Sequence, residues 1–198
     1  ERSVLQDSAP RVPFADARVV LEDELGGTID ELFASFEEEP IAAASIGQVH
    51  RATLRDGRDV VVKIQRPGIA PLVAQDLDLL ELFLEAVAPM LPPTDLPTIA
   101  RAVRLSVERE LDFEGEARDA TLVADAMAGV EGLVIPRVVE SHSSGRVLTT
   151  IFVKGRKITD ELDALRDRIA EGDEQAAVRR DRVLGILLEG YVRQILEV

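Results

Sequence analysis

The sequence predicts an α+β fold in which a small antiparallel sheet of about five strands packs against two long helices. The alternating run 49–54, the pair Asp56-Gly57 and the β-branched run 60–64 are together typical of a β-hairpin. Residues 70–91 and about 98–127 have the apolar spacing of long amphipathic helices. These local patterns carry the fold prediction.

The first strand of the hairpin alternates between two faces. One face is predicted to carry Val49, Arg51 and Thr53, and the other His50, Ala52 and Leu54. Gly57 accepts a positive φ without steric cost, which suits the tight turn between the strands. The return strand 60–64 is apolar and β-branched, so we predict that it is buried on both faces.

One lysine, Lys63, lies in this apolar return strand, and only Lys154 and Lys157 are lysines elsewhere in the chain. Burying an ammonium group without a partner costs several kcal/mol, so Lys63 should meet an anion. A hairpin that presents a lysine in its second strand is the phosphate-handling arrangement of protein kinases. The alternative is an edge strand whose lysine reaches water along its own stem. The spacing alone favours neither interpretation.

The remaining elements are predicted from spacing, caps and turns. Thr28 and Glu31 stand in capping-box positions at the start of a short helix, 28–36. The other predicted helices are 14–25, 158–169 and 175–198, and the other predicted strands are 133–136, 138–139 and 146–153. Pro92-Pro93 is predicted to end the helix 70–91.

An acidic cluster lies within the predicted helix 98–127. Glu108, Asp112 and Glu116 are i, i+4 and i+8 neighbours that repel one another, and Gly115 adds a residue of low helix propensity. Such a sequence indicates either a solvated surface or a functional demand. In a continuous helix Glu110 and Glu116 would point about 240° apart, so one lysine could not serve both.

Composition and charge exclude several classes of function. The chain has 23 Lys and Arg against 37 Asp and Glu, a formal net charge of −14, which repels nucleic acid and anionic lipid surfaces. It has no cysteine, and His50 and His142 lack the spacing of a metal motif. The apolar stretch 77–91 is interrupted by three acids, so we expect no transmembrane segment, and no secretory leader is visible. The excess of Arg over Lys hints at a bacterial source.

The segments AAASIGQVHRA and VVVKIQRPGI closely resemble the UbiB/AarF/ADCK family of atypical protein-kinase-like proteins. The resemblance implies a protein-kinase-like N-terminal lobe that binds ATP with Mg²⁺, with Lys63 holding the α- and β-phosphates. In this family an alanine-rich loop replaces the glycine-rich nucleotide loop. The residues that would cover the triphosphate are Ala42, Ala43, Ala44, Ser45, Ile46 and Gly47.

Two further segments carry the resemblance. Glu110-Leu111-Asp112-Phe113 followed by Glu116-Ala117 resembles the family's ExD segment, which implies that Glu116 pairs with Lys63 while Glu110 and Asp112 meet a KxGQ element. The reverse assignment of the two glutamates stays open. The segment 148–155 resembles the hinge strand, in which the backbone of Phe152 and Val153 would form the adenine edge, although Ile151 and Lys154 replace the acids usual there.

The resemblance also divides the chain into three segments: a helical N-terminal extension remnant (1–39), a kinase-like nucleotide-binding lobe (40–155) and the first helices of a C-terminal lobe (156–198). We expect the KxGQ element upstream of Glu1, and the catalytic Asp/Asn loop and an Asp-Phe-Gly-type metal site after Val198. The chain would then be truncated before the catalytic loop, with no catalytic residue and most Mg²⁺ ligands outside it.

The first functional hypothesis is therefore the ATP-binding half of an atypical kinase or ATPase linked to ubiquinone biosynthesis or lipid homeostasis. The alternative is a non-catalytic kinase-like module that docks a lipid, a quinone or a membrane-associated protein partner. A third option is an acidic helical scaffold whose hairpin is only structural. A cytoplasmic location is expected, with peripheral membrane attachment of a full-length protein left open.

Overall fold

The computed structural model describes residues 12–90 and 95–197. Tertiary contacts divide the chain into two units, one of residues up to Arg118 together with Val138–Ile151, and one of Asp119–Arg137 together with Phe152–Val198. The first eleven residues of the predicted segment 1–39 and the predicted Pro92-Pro93 helix end lie outside the described residues. Across the described ranges, no helix is long and apolar enough to cross a membrane.

The elements of the first unit alternate between short helices, strands and long helices. Its strands are β1 (Phe33–Phe36), β2 (Ala42–Ala43), β3 (Gly47–Leu54), β4 (Asp59–Gln65) and β5 (Val147–Ile151). Its helices are α1 (Phe14–Leu25), α2 (Ile29–Leu32), α3 (Ile69–Val87) and α4 (Leu96–Leu111), and α5 (Phe113–Ala126) begins in it. One turn of 3₁₀ helix, Ala88–Met90, directly follows α3, and another, Glu140–His142, precedes β5.

The five strands form one antiparallel sheet in the order β1-β3-β4-β5, with β2 paired to β3. The α+β class and the strand number of the prediction are confirmed, but two of the strands are different ones. Residues 133–136 do not form a strand, and Val138 makes only an isolated bridge with Thr150. The other two strands of the sheet are β1 and β2. Neither has an alternating apolar pattern in the sequence.

The predicted helix 28–36 is wrong beyond its first turn. The Thr28–Glu31 capping box is present, yet α2 ends at Leu32 and the chain continues as β1. Phe33 pairs with Leu54 and Phe36 with Ala52, so β1 occupies the outer edge of β3. A helix this short is marginal by itself, whereas the open edge of a long strand offers backbone hydrogen bonds, and the edge therefore decides the conformation.

Helix α1 covers one face of the sheet. Its residues Ala17, Val20 and Leu21 are buried against the inward-facing side chains of β4, which are Val60, Val62 and Ile64. Val61 and Lys63, between them, remain partly exposed, so the prediction that this strand is buried on both faces is wrong. The alternation predicted for 49–54 is confirmed, with His50, Ala52 and Leu54 buried.

Two polar side chains, Glu24 and His50, make hydrogen bonds that fasten this face. Glu24 of α1 accepts hydrogen bonds from Ser144 Oγ (2.6 Å) and Arg146 Nε (2.8 Å), and these bonds lower the pKa of its carboxyl. His50 lies in the core between Gln48 Nε2 (2.9 Å) and the Glu37 carbonyl oxygen (2.8 Å), where burial lowers the pKa of the imidazole. A neutral ring that donates from Nδ1 and accepts at Nε2 satisfies both neighbours.

The predicted single helix 98–127 is wrong, because the chain breaks at Asp112 between α4 and α5. The second unit contains the end of α5 and the helices α6 (Ile158–Ala170) and α7 (Glu174–Glu197). Leu165 of α6 and Ala176 of α7 are buried in this unit, and the Glu161 carboxylate lies between Arg156 (2.6 Å) and Arg179 (2.9 Å). The predicted helices 158–169 and 175–198 are confirmed to within a residue at most ends.

Candidate functional site

Lys63 lies on an inner strand of the sheet. In β4 it pairs with Val49 of β3 on one side and with Leu148 of β5 on the other. The edge-strand explanation for this lysine is therefore wrong. Its side chain is 27% exposed and lies on the face of the sheet opposite α1. A lysine held in this position needs an anion, because most of its hydration is lost.

That anion is Glu116. The Lys63 Nζ donates a hydrogen bond of 2.6 Å to Glu116 Oε2, and it also lies 4.4 Å from the centroid of the Phe113 ring. A charge-assisted hydrogen bond of this length is among the stronger polar contacts of a protein. The aromatic face below the ammonium adds a cation–π attraction of about 0.5–2 kcal/mol. Both partners come from α5, so this helix fixes the direction of the lysine.

Phe113 anchors α5 to the sheet. Its side chain is fully buried, and it forms a small apolar cluster with Ile46 of the alanine-rich loop and Leu148 of β5. The ring thus touches the loop, the sheet and the lysine at once. A buried aromatic side chain contributes a large apolar area, which explains how one residue holds the start of a helix in place.

The break at Asp112 is built by the acidic cluster itself. Asp112 Oδ1 accepts a 2.8 Å hydrogen bond from the Gly115 N–H, as a capping side chain does at a helix N-terminus. A Cβ at Gly115 would overlap the Asp112 carboxylate, so glycine leaves room for the cap in this position. The unfavourable residues of the predicted long helix are therefore the cap and first turn of a new one.

Glu110 does not contact Lys63 in this arrangement. It is exposed in the last turn of α4, on the other side of the break from Glu116. The angle of about 240° between them holds only in one continuous helix, and the chain breaks between α4 and α5. Of the two glutamates proposed from the sequence, the structure places Glu116 against the lysine, and Asp112 acts as the cap of α5.

Gln65 is a site residue that the sequence analysis missed. It is buried (4% exposed), and its Nε2 donates a 3.1 Å hydrogen bond to the carbonyl oxygen of Leu111, the last residue of α4. This bond ties the end of the lysine strand to the helix break. The signal available in the sequence was a long polar side chain immediately after an apolar strand, which requires a partner if it is buried.

The alanine-rich loop is a tight hairpin between β2 and β3. The Ala44 N–H donates to the Gly47 carbonyl oxygen (2.8 Å), which leaves Ser45 and Ile46 at the turn. None of these four residues has a positive φ. A Cβ at Gly47 would lie 2.6 Å from the Ile64 carbonyl oxygen, so only glycine allows the loop to approach β4 this closely.

Arg66 is a second site residue that the sequence analysis did not predict. It follows β4 directly and contacts the alanine-rich loop. Its Nη2 donates to the Ala44 carbonyl oxygen (3.1 Å), and its backbone N–H donates to the Ile46 carbonyl oxygen (2.8 Å). The segment from Lys63 to Arg66 therefore contacts α5, the end of α4 and the loop in turn. Ile46 points into the apolar cluster, so its side chain anchors the loop to Phe113 and Leu148.

The adenine edge and the Mg²⁺ ligands are the two remaining predicted parts of the site. Phe152 and Val153 follow β5 in the chain but belong to the second unit, where Val153 is 44% exposed. Among the residues that the structure describes, no group of three His, Cys, Asp or Glu side chains is arranged to hold a metal ion.

A five-stranded antiparallel sheet, with an inner-strand lysine paired to a helix glutamate under a tight loop, defines the N-terminal lobe of a protein-kinase-like fold. Comparison with known families agrees with this class. The model of the ABC1 atypical kinase-like domain matches residues 4–198, and the chain belongs to this family. The resemblance to UbiB/AarF/ADCK proteins drawn from the sequence is confirmed.

Curated relatives carry related names. The chain is 38% identical over 167 residues to AarF domain-containing protein kinase 1 of Xenopus tropicalis, covering 84% of this chain and 32% of that protein. It is 37% identical over 199 residues to ACTIVITY OF BC1 COMPLEX KINASE 7, chloroplastic, of Arabidopsis thaliana, covering 100% of this chain and 27% of that protein. Against Atypical kinase coq-8, mitochondrial, of Caenorhabditis elegans, the identity is 34%, covering 84% and 22%.

A solved structure is also similar. The complex of Rv3197 with erythromycin from Mycobacterium tuberculosis superposes with a TM-score of 0.68 at 32% identity, covering 82% of this chain and 41% of that one. Erythromycin is bound by that protein. The chain spans about a third or less of the length of the curated relatives named above.

Proposed function

We propose that this lobe binds ATP and supplies the phosphate-handling half of an atypical kinase or ATPase. The observation that carries the proposal is the 2.6 Å ion pair between Lys63 and Glu116 on an inner strand beside the alanine-rich loop. In kinases the equivalent pair must be in place before the lysine can hold the α- and β-phosphates. A lysine already oriented by a carboxylate has no reorganisation to undergo when the nucleotide arrives.

Each part of the lobe has a role in this proposal. Lys63 binds phosphate oxygens, Glu116 orients Lys63, and the loop from Ala42 to Gly47 covers the triphosphate with its backbone N–H groups. The backbone of Phe152 and Val153 hydrogen-bonds the adenine. Phosphoryl transfer itself is attributed to the whole protein, with Mg²⁺ neutralising charge on the transferred group when it is bound. We place that activity in ubiquinone biosynthesis or lipid homeostasis, from the family resemblance.

Calorimetric titration with Mg-ATP tests the proposal. Wild-type protein should bind, and Lys63→Ala should weaken binding by about tenfold or more, because a charged contact to phosphate is lost. Lys157→Ala, which removes an exposed lysine at the start of α6, serves as the matched control and should bind like wild type. Equal binding by Lys63→Ala and wild type would exclude Lys63 from the nucleotide site, and no binding by wild type would leave the non-catalytic docking module as the better explanation.

A further inference from the structure

We propose that Arg66 is a positioning residue that sets the direction of the phosphate-facing N–H groups in the alanine-rich loop, and thereby sets the discrimination between ATP and ADP. The inference rests on the proposed function of this site. It concerns a residue outside the loop and outside the Lys63–Glu116 ion pair, so its role can be tested separately from that pair.

Arg66 contacts carbonyl groups on both sides of Ser45 in the turn. Its Nη2 holds the Ala44 carbonyl oxygen at 3.1 Å, and its own N–H holds the Ile46 carbonyl oxygen at 2.8 Å. Ala44 and Ser45 are exposed, so without this clamp their peptide groups would be free to turn toward water. One bond is a charge-assisted bond from a guanidinium group, which is stronger than a neutral one.

Peptide planarity converts these two contacts into an orientation. In a trans peptide the C=O of one residue and the N–H of the next point in opposite directions. Holding the Ala44 oxygen toward Arg66 therefore aims the Ser45 N–H away from it, and holding the Ile46 oxygen does the same for the Gly47 N–H. The alanines restrict the backbone of this loop more than glycines would, so few other orientations of these amides are accessible.

The support of the clamp is rigid. Arg66 follows Lys63 by three residues, and the Gln65 N–H between them donates to the Arg146 carbonyl oxygen at 2.9 Å. Lys63 lies in β4 and Arg66 follows directly after that strand, so the strand sets the distance between the ammonium and the loop amides. Because the loop is held at a fixed distance from the lysine, we expect the site to bind a triphosphate and a diphosphate with different affinities.

The test compares Mg-ATP and Mg-ADP binding in wild type, Arg66→Gln, Arg66→Lys and Lys63→Ala. Arg66→Gln should weaken Mg-ATP binding by about tenfold and change the ATP-to-ADP affinity ratio, since loss of one charged bond is worth about that factor. Arg66→Lys keeps the charge but not the planar fork, so the ratio should still change while the overall attraction to phosphate is kept. Arg55→Gln, at the far end of the same hairpin, removes an equal charge and should change neither quantity.

A second measurement separates positioning from simple attraction. Without nucleotide, the backbone amide order parameter of Ser45, whose N–H is aimed through the Ala44 oxygen, should fall in Arg66→Gln and stay unchanged in Lys63→Ala. If wild type binds no nucleotide, the proposed function itself fails. If binding depends on Lys63 while Arg66→Gln keeps the wild-type ratio and order parameter, only the role of Arg66 is overturned. Should Arg66→Gln not fold, Arg66→Lys carries the same comparison.

Discussion

The Lys63 ammonium and the Glu116 carboxylate are 2.6 Å apart although 53 residues separate them in the chain. The contact depends on the break at Asp112, which starts α5 at Phe113 and turns its first turn toward β4. Glu116 lies one turn into the new helix. The position at which α5 begins thus determines that Glu116 is the acid that pairs with Lys63.

A double-mutant cycle on this pair should show coupling in nucleotide binding. Lys63→Ala and Glu116→Ala should each weaken Mg-ATP binding, and the double variant should be no weaker than Lys63→Ala, because Glu116 acts only by orienting the lysine. The expected coupling is roughly 0.5–3 kcal/mol, measured by calorimetry on all four proteins. Glu114→Ala, an exposed acid on the same helix, is the control, and additive effects of Lys63 and Glu116 would contradict the assigned role.

Substituting Gly47 by alanine should destabilise the lobe. The added Cβ would lie 2.6 Å from the Ile64 carbonyl oxygen, and backbone on both sides must shift to make room. We expect a loss of about 1–3 kcal/mol in the free energy of unfolding, as in overpacked cores. Gly155→Ala has open space around its Cβ and should change stability little. Equal denaturant midpoints for Gly47→Ala and wild type would show that the loop can move away from β4.

The effect of Gly115→Ala should depend on Asp112. In wild type the new methyl group displaces the capping carboxylate, so the loss of about 1 kcal/mol of helix capping should offset the gain in helix propensity and leave stability little changed. In an Asp112→Ala background the cap is already absent, and the same substitution should stabilise α5 by up to about 1 kcal/mol through helix propensity. Thermal unfolding of wild type, the two single variants and the double variant measures this difference between backgrounds. Equal stabilisation in both backgrounds would contradict the cap.

Stability should decrease on acidification through the titration of His50. Burial lowers the pKa of this imidazole below its ordinary value of 6.5, so below about pH 6.5 the unfolded chain binds the proton more readily than the folded one. The free energy of unfolding is therefore unaffected by this group at higher pH and falls as the pH drops below that value, by at most about 1.4 kcal/mol per pH unit. Chemical denaturation between about pH 5 and about pH 8 measures the slope.

His50→Gln is the control for this pH dependence. It removes the titrating ring, so the slope in that window should decrease relative to wild type even if the variant is less stable at every pH. The Glu24 carboxyl, whose pKa is lowered by Ser144 and Arg146, loses its contribution only as the pH falls through values below 4.5. An unchanged slope in His50→Gln would show that another group titrates there.

Tertiary structure decided the elements whose local pattern was ambiguous. Residues 33–36 have a helical apolar spacing, yet they pair with the outer edge of β3. A short helix is marginally stable by itself, whereas the open edge of β3 offers backbone hydrogen bonds to this segment. Residues 133–136 look like a strand but find no strand edge to pair with. Gln65 and Arg66 could not be assigned from the sequence, since their roles come from carbonyl groups that lie far away in the chain.

What the sequence determined by itself is the hairpin. Alternation along 49–54, the Asp56-Gly57 turn and a single lysine in a β-branched strand are local properties, and they settle local structure because neighbouring residues alone satisfy them. The partner of that lysine was decided only in three dimensions. Asp112 caps α5 and does not continue α4, and burial of Phe113 against Ile46 and Leu148 then brings Glu116 to the ammonium.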